Sequence, residues 1–184
     1  MQTKIGVIGG SGVYEIAGLE GAAWERVVTP WGDPSDEILT GTLRGIPMAF
    51  LPRHGRGHVH SPSTVPYRAN IDALKRLGVT DVISVSACGS FREEMAPGDF
   101  VIVDQFIDRT FAREKSFFGT GCVAHVSLAH PVCARLGDAA EQAARQAGAA
   151  APATTEGASD LPAVGEPNAV TDITSDRASV IAQS

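Results

Sequence analysis

The sequence predicts an α/β fold, a three-layer α/β/α arrangement with a mixed central sheet. The first observation is an apolar, β-branched run at 82–85 that ends in small residues at 86–90. A strand that is apolar on both faces belongs in the middle of a covered sheet. The second is the order strand, helix, strand, strand along residues 46–103, which indicates a partly parallel sheet. Because ligands bind at the carboxyl ends of such strands, residues 86–90 are candidate ligand contacts, and an ordinary tight turn at the end of the strand is the alternative.

The N-terminal strand, at residues 4–8, runs into the glycine-rich turn Gly9-Gly10-Ser11-Gly12. This composition is typical of a turn that contacts phosphate, and an ordinary tight turn is the alternative. A dinucleotide-binding fingerprint fits poorly, because Glu15 stands where a third glycine is expected.

Residues 25–51 are rich in β-formers, with strands predicted at 25–29, 37–43 and 46–51. The last two form a hairpin that leads into a loop with two arginines and three histidines at 53–60. Arginine grips phosphate at two points, and a neighbouring histidine adds a donor or moves a proton. A solvated basic loop is the alternative. No nearby carboxylate or cysteine completes a metal-ligand set, so we expect no metal.

A helix is predicted at residues 65–77, capped by Ser61-Pro62-Ser63 and stopped by Gly78. Its expected apolar face carries Ile71, Leu74 and Leu77. A strand follows at 100–103, and a last helix at 132–147 ends at Gly148.

Composition limits the functional classes. The net charge of −6 argues against nucleic acid and anionic membranes as partners. No apolar run is long enough to span a membrane, and the N-terminus has no signal-peptide pattern, so we expect a cytoplasmic protein. The three cysteines lack close pairing, which indicates free thiols in a reducing compartment.

The chain divides near residue 148. Residues 1–148 carry the predicted elements, whereas 149–184 are acidic and rich in Ala, Pro and Thr. Such a segment buries too little apolar surface to offset its ordering entropy. We expect it to be largely disordered, with a short strand or turn near 178–182.

Six motifs, in this order, resemble those of the S-methyl-5'-thioadenosine phosphorylases of the trimeric purine nucleoside phosphorylase family. The resemblance covers about residues 4–147. The motifs are Ile8-Gly9-Gly10-Ser11-Gly12, Thr29-Pro30-Trp31-Gly32-Asp33-Pro34-Ser35, Arg53-His54-Gly55-Arg56-Gly57-His58, Tyr67-Arg68-Ala69-Asn70-Ile71, Ser86-Ala87-Cys88-Gly89-Ser90 and Asp104-Gln105-Phe106-Ile107-Asp108-Arg109-Thr110. The last of these resembles a strand of the family.

The resemblance implies a pentosyltransferase of purine and methionine salvage. Inorganic phosphate, the co-substrate, would attack the anomeric carbon of 5'-methylthioadenosine and release adenine and 5-methylthioribose 1-phosphate. No cofactor is implied, and the family forms homotrimers. A phosphorylase for another purine nucleoside, such as methylthioinosine, is the enzyme alternative.

The resemblance also assigns site residues. The phosphate ligands would be Ser11, Arg53, His54, Ser86 and Ala87. Substrate contacts would be Cys88, Gly89 and His125, the last reaching a neighbouring subunit's methylthio pocket. No residue is assigned the catalytic proton transfer.

The family's later motifs, which contact ribose and base, are not found after Gly148. The sequence therefore predicts a fold that is incomplete at its C-terminal side. It corresponds to the N-terminal two-thirds of the family domain. A further alternative follows: an inactive truncated or frameshifted fragment that retains a partial phosphate site.

Overall fold

The computed structural model describes residues 2–13, 15–114 and 116–149, together with two strands at 153–154 and 178–183. A single sheet organises these residues. Its strands are β1 (Ile5–Gly9), β2 (Glu20–Glu25), β3 (Ile38–Leu43), β4 (Ile46–Pro52), β5 (Asp81–Ala87), β6 (Phe100–Val103), β7 (Ala153–Thr154) and β8 (Ala178–Gln183), and the helices are α1 (Tyr67–Arg76) and α2 (Ala134–Gln146).

The sheet is mixed, with the strand order β2-β3-β4-β1-β5-β8-β6-β7. Strand β1 pairs in parallel with β4 on one side and with β5 on the other. The carboxyl ends of these three strands therefore lie at the same edge. Strand β5 lies inside the sheet, between β1 and β8, which confirms the position predicted for the apolar run.

Helices cover opposite faces of the sheet. On one face, Leu74 of α1 packs in a cluster with Leu51 of β4. On the other face, Ile5 packs against a second cluster, and Asp81 lies beside it in the register. Arg135 of α2 donates a hydrogen bond to Asp81, so α2 lies on this second face. The predicted three-layer arrangement is confirmed.

Local signals placed the hairpin and the end of α1 correctly. Arg44 and Gly45 connect β3 to β4 with positive φ angles of 49° and 80°. At the end of α1, Gly78 has a φ of 79° and donates to the carbonyl oxygen of Lys75. Glycine adopts this left-handed conformation without a steric penalty, and so it ends the helix.

The cap of α1 and one residue of its apolar face were predicted wrongly, whereas Leu74 and Leu77 pack into the core as expected. The helix begins after Pro66, with no side-chain cap, because Ser61 and Thr64 hydrogen-bond to each other in a separate turn. Ile71 is 38% exposed. The buried positions of α1 are Ala69, Asn70, Ala73 and Leu74.

Two strand predictions also need correction. The strand expected at 25–29 lies at Glu20–Glu25, because β3 begins at Ile38, the register partner of Glu25, and offers no partner beyond it. Residues 104–110, which resemble a family strand, are irregular and follow the end of β6.

At the C-terminal side, the segment expected near 178–182 is the strand β8, antiparallel to β5 and parallel to β6. Residues 155–177 lie outside the described residues, and the division at residue 148 stays a prediction. In the described part of the chain, no helix has the length and apolarity needed to cross a membrane.

Candidate functional site

The predicted phosphate ligands converge on the edge where β1, β4 and β5 end. Ser11 lies in a short 3-10 turn directly after β1, Arg53 and His54 follow β4, and Ser86 and Ala87 close β5. The Arg53 amide donates a 2.9 Å hydrogen bond to the carbonyl oxygen of Gly9, which ties the loop after β4 to the end of β1.

Arg53 is the central cation of this edge. Its guanidinium is half-buried, and Nη1 donates a 2.7 Å hydrogen bond to the carbonyl oxygen of Val85 in β5. Burial lowers its pKa below the ordinary value, but an arginine remains charged at neutral pH. None of the ion pairs among the described residues includes Arg53. A partly desolvated cation without a carboxylate partner is suited to bind an anion.

Both ring nitrogens of His54 are hydrogen-bonded, one to His60 and the other to Arg53. Nδ1 lies 2.9 Å from the carbonyl oxygen of His60, and Nε2 lies 3.1 Å from Nε of Arg53. A carbonyl oxygen can only accept, so Nδ1 carries the proton and Nε2 accepts from Arg53. The imidazole therefore orients the guanidinium in this structure. The His58 ring stacks on it at a centroid distance of 5.8 Å.

Arg56, the second arginine of this loop, is engaged elsewhere. Its guanidinium pairs with Asp36 at 2.8 Å and Glu37 at 2.9 Å, and it lies 4.3 Å from the centroid of the Trp24 ring. Partial burial alone would raise the pKa of Asp36, but hydrogen bonds from Arg56 and from the Glu37 amide hold it below the ordinary value. The same two carboxylates raise the pKa of Arg56. Its charge is thus neutralised within the protein.

The turn after β5 is accessible. Ser86 is half-buried, whereas Ala87, Cys88 and Gly89 are exposed. A side chain built at Gly89 would meet nothing within 4 Å, so a ligand can approach its backbone. These residues share the edge with Arg53, as the sequence predicts.

His125 is the predicted site residue that the structure does not bring to this edge. It lies in an exposed irregular segment after Cys122, and no described contact joins it to Arg53 or His54. Its predicted role in a neighbouring subunit's pocket stays a prediction.

Sequence analysis placed Ser35 and Asn70 in family motifs but assigned no role to them, and in the structure they support the Arg53 loop. Asn70 of α1 is 3% exposed, and its Oδ1 accepts a 2.7 Å hydrogen bond from the amide of Ser35. The signal was its spacing, since Asn70 lies three and four residues before the buried Ala73 and Leu74 and so shares their helix face. Within the described residues, no group of histidine, cysteine and carboxylate side chains is placed to hold a metal.

Comparison with known proteins identifies the family. The phosphorylase superfamily matches residues 4–180. The chain is 82% identical over 148 residues to S-methyl-5'-thioadenosine phosphorylase of Cereibacter sphaeroides, covering 80% of this chain and 51% of that protein. It is 71% identical over 141 residues to the enzyme of the same name from Rhodospirillum rubrum, covering 77% and 48%.

Solved structures agree. A methylthioadenosine phosphorylase from an antarctic soil metagenomic library superimposes with a TM-score of 0.74 at 44% identity, covering 83% of this chain and 55% of that one. The Schistosoma mansoni enzyme in complex with adenine gives 0.74 at 42% identity, covering 79% and 55%. The chain thus spans about half the length of the relatives it matches. These similarities confirm the predicted resemblance, and the chain belongs to the phosphorylase superfamily.

Proposed function

We propose that this protein catalyses the phosphorolysis of 5'-methylthioadenosine to adenine and 5-methylthioribose 1-phosphate. In this reaction a phosphate oxygen forms a bond to the anomeric carbon while the glycosidic bond to the purine breaks and its electron pair leaves with the base. Positioning the phosphate next to the sugar supplies much of the catalysis, since oriented reactants avoid a large entropic cost. The reaction makes the protein a pentosyltransferase of purine and methionine salvage, with phosphate as co-substrate and no cofactor.

The observation that carries the proposal is the Arg53 guanidinium, which lies at the shared edge of β1, β4 and β5 without a carboxylate partner among the described residues. Ser11, Ser86 and Ala87 end or follow the neighbouring strands and would add hydroxyl and amide donors to the phosphate. His54 would complete the group by keeping Arg53 oriented. The names of the relatives support methylthioadenosine as the nucleoside.

The substrate contacts extend from this edge. Cys88 and Gly89 continue from β5 into open space beside the phosphate ligands and would contact the nucleoside. We propose that the protein assembles as a homotrimer and that His125 reaches the site of a neighbouring subunit. The irregular region that holds His125 also exposes large apolar side chains, which a neighbouring subunit would cover. They include Phe106, Ile107, Phe111, Phe118, Val123 and Val126.

Cellular location and the charge of the co-substrate are also part of the proposal. The exposed thiols of Cys88 and Cys122 support a reducing, cytoplasmic location. Among the described residues no ion pair joins Arg53 to a carboxylate, which supports an anionic co-substrate.

The experiment joins residues 1–148 to the segment that follows the matched region in the Cereibacter sphaeroides relative. We expect phosphate-dependent release of adenine from methylthioadenosine, lost in the Arg53→Ala chimera. Sedimentation velocity on the same chimera measures its assembly. Faster cleavage of methylthioinosine would support the alternative substrate, and phosphate-independent cleavage would contradict phosphorolysis.

A further inference from the structure

The buried side-chain amide of Asn70 makes two hydrogen bonds to Ser35, a residue distant in sequence. Its Oδ1 accepts from the Ser35 amide at 2.7 Å, and its Nδ2 donates to Ser35 Oγ at 2.9 Å. Asn70 is 3% exposed and Ser35 is 6% exposed. Asparagine is a poor choice for a helix interior, and burying it is costly unless it is hydrogen-bonded. The two bonds offset that cost and fix the Ser35 backbone relative to α1.

The Ser35 backbone in turn lies directly against the loop that carries Arg53. A Cβ built at Gly55 would lie 2.8 Å from the Ser35 carbonyl oxygen, which is closer than real Cβ contacts. The next residue, Asp36, accepts a 2.6 Å hydrogen bond from the Arg56 amide. Residues 35 and 36 therefore hold the loop at two consecutive positions, 55 and 56.

The loop is closed by its own hydrogen bonds. The Gly55 amide donates to Pro52, and the His60 amide donates to the carbonyl oxygen of His54 at 3.0 Å. The His54 ring returns a bond from Nδ1 to the His60 carbonyl oxygen and accepts from Arg53 through Nε2. A shift at Gly55 would therefore reach the ring that orients the Arg53 guanidinium.

We propose that Asn70 is a positioning residue for phosphate, acting through Ser35 and Gly55 on His54 and Arg53. The inference rests on the proposed phosphate site. Asn70 carries no charge and touches none of the proposed ligands in the described contacts, so its effect is on geometry. Ser35 is the intermediate that joins a helix on one face of the sheet to a loop at its edge.

The test compares Asn70→Ala with Leu74→Ala in the 184-residue chain. Leu74 lies on the same buried face of α1, in the apolar cluster rather than against Ser35, so its loss lowers stability without releasing the loop. We expect Asn70→Ala to weaken the binding of inorganic phosphate about tenfold, measured by calorimetry well below the unfolding temperature. Leu74→Ala should change the phosphate affinity by no more than about twofold, which is clearly smaller than the tenfold change expected for Asn70→Ala.

The second measurement is the nitrogen NMR spectrum of the His54 ring, which reports which nitrogen carries the proton. Asn70→Ala should lower the population of the tautomer with the proton on Nδ1, and Leu74→Ala should leave that population unchanged. Asn70→Asp, which keeps an acceptor for the Ser35 amide and another for its hydroxyl, should restore this form in part. If Asn70→Ala does not fold, Ser35→Ala removes one of the two bonds and takes its place.

The proposal is overturned if Asn70→Ala lowers the unfolding temperature but leaves both the phosphate affinity and the His54 spectrum unchanged. Absence of phosphate binding in the wild-type chain would count against the proposed phosphate site. In that case the His54 spectrum alone shows whether Asn70 positions the loop. Failure of the phosphate site and failure of the positioning role are therefore distinguishable.

Discussion

The guanidinium of Arg53, which follows β4, donates a 2.7 Å hydrogen bond to the carbonyl oxygen of Val85 in β5. Because β1 lies between these strands, the side chain reaches across the end of β1, to which the Arg53 amide is also bonded. One residue thus ties together the carboxyl ends of three parallel strands. Its position is set by the sheet, and its remaining donors are available to an anion.

Replacing Arg53 with Ala should weaken phosphate binding by about tenfold to a hundredfold. A hydrogen bond to a charged group contributes about 1.5–3 kcal/mol, and 1.4 kcal/mol corresponds to a factor of ten. Titration calorimetry with inorganic phosphate measures the change. Arg145→Ala removes the same charge from an exposed pair on α2 and serves as the control. Equal affinities for the two variants would contradict the phosphate site.

Replacing Arg56 with Ala should lower stability and spare phosphate binding. Its guanidinium pairs with Asp36 and Glu37 and is 45% exposed, so we expect a loss of about 1 kcal/mol in the free energy of unfolding. The variant keeps the backbone amide that bonds to Asp36, so the loop should stay in place. Urea unfolding measures the loss of stability, and phosphate titration measures the affinity that should be unchanged. A large fall in phosphate affinity would show that Arg56 is a ligand after all.

Replacing Gly55 with Ala should destabilise the protein more than replacing Gly57 with Ala. Both glycines have positive φ angles, 70° and 81°, so both variants carry strain of about 1 kcal/mol. Only at position 55 would the new Cβ meet the Ser35 carbonyl oxygen and Val59, each at 2.8 Å, whereas nothing lies within 4 Å at position 57. We expect a further cost of about 2 kcal/mol at position 55.

Urea unfolding of the two glycine variants gives the difference directly. Phosphate affinity should fall in the Gly55 variant only. Equal losses of stability would show that the loop moves away from Ser35 at little cost.

Stability should fall in acid, in part through Asp81. Hydrogen bonds from Thr80 and then from Arg135 hold its pKa below the ordinary value of 3.8. A carboxyl group whose pKa is lower in the folded state contributes stability above its unfolded pKa and loses it as the pH falls through the folded pKa. The free energy of unfolding should therefore be steady above about pH 5 and decline below about pH 4.

Asp81→Asn should flatten this decline, measured by urea unfolding at a series of pH values. Asp138→Asn is the control, because it removes a carboxylate that is exposed and takes part in none of the described ion pairs. A decline as steep in Asp81→Asn as in the wild type would assign the acid sensitivity to other groups.

Much of the fold could be predicted because its signals are local. The Arg44-Gly45 turn and the stop at Gly78 depend on backbone angles that few residues adopt, and the central strand β5 is marked by a run rich in β-branched residues. The cap of α1 was predicted wrongly because Ser61, expected within the cap, bonds to Thr64 in a separate turn instead. A helix cap and a separate turn compete at such a boundary, and the residue types alone do not show which of the two forms.

The sequence by itself determined that two arginines and three histidines stand together after β4, and from this group it predicts an anion site. Only the tertiary structure decided that Arg53 faces the shared strand edge while Arg56 is neutralised by Asp36 and Glu37. The Asn70 contact with Ser35, 35 residues away, was likewise beyond local patterns. The physical reason is that the availability of a charge depends on which carboxylates the fold brings within a few ångströms of it, and those carboxylates come from the loop before β3, distant from Arg56 in sequence.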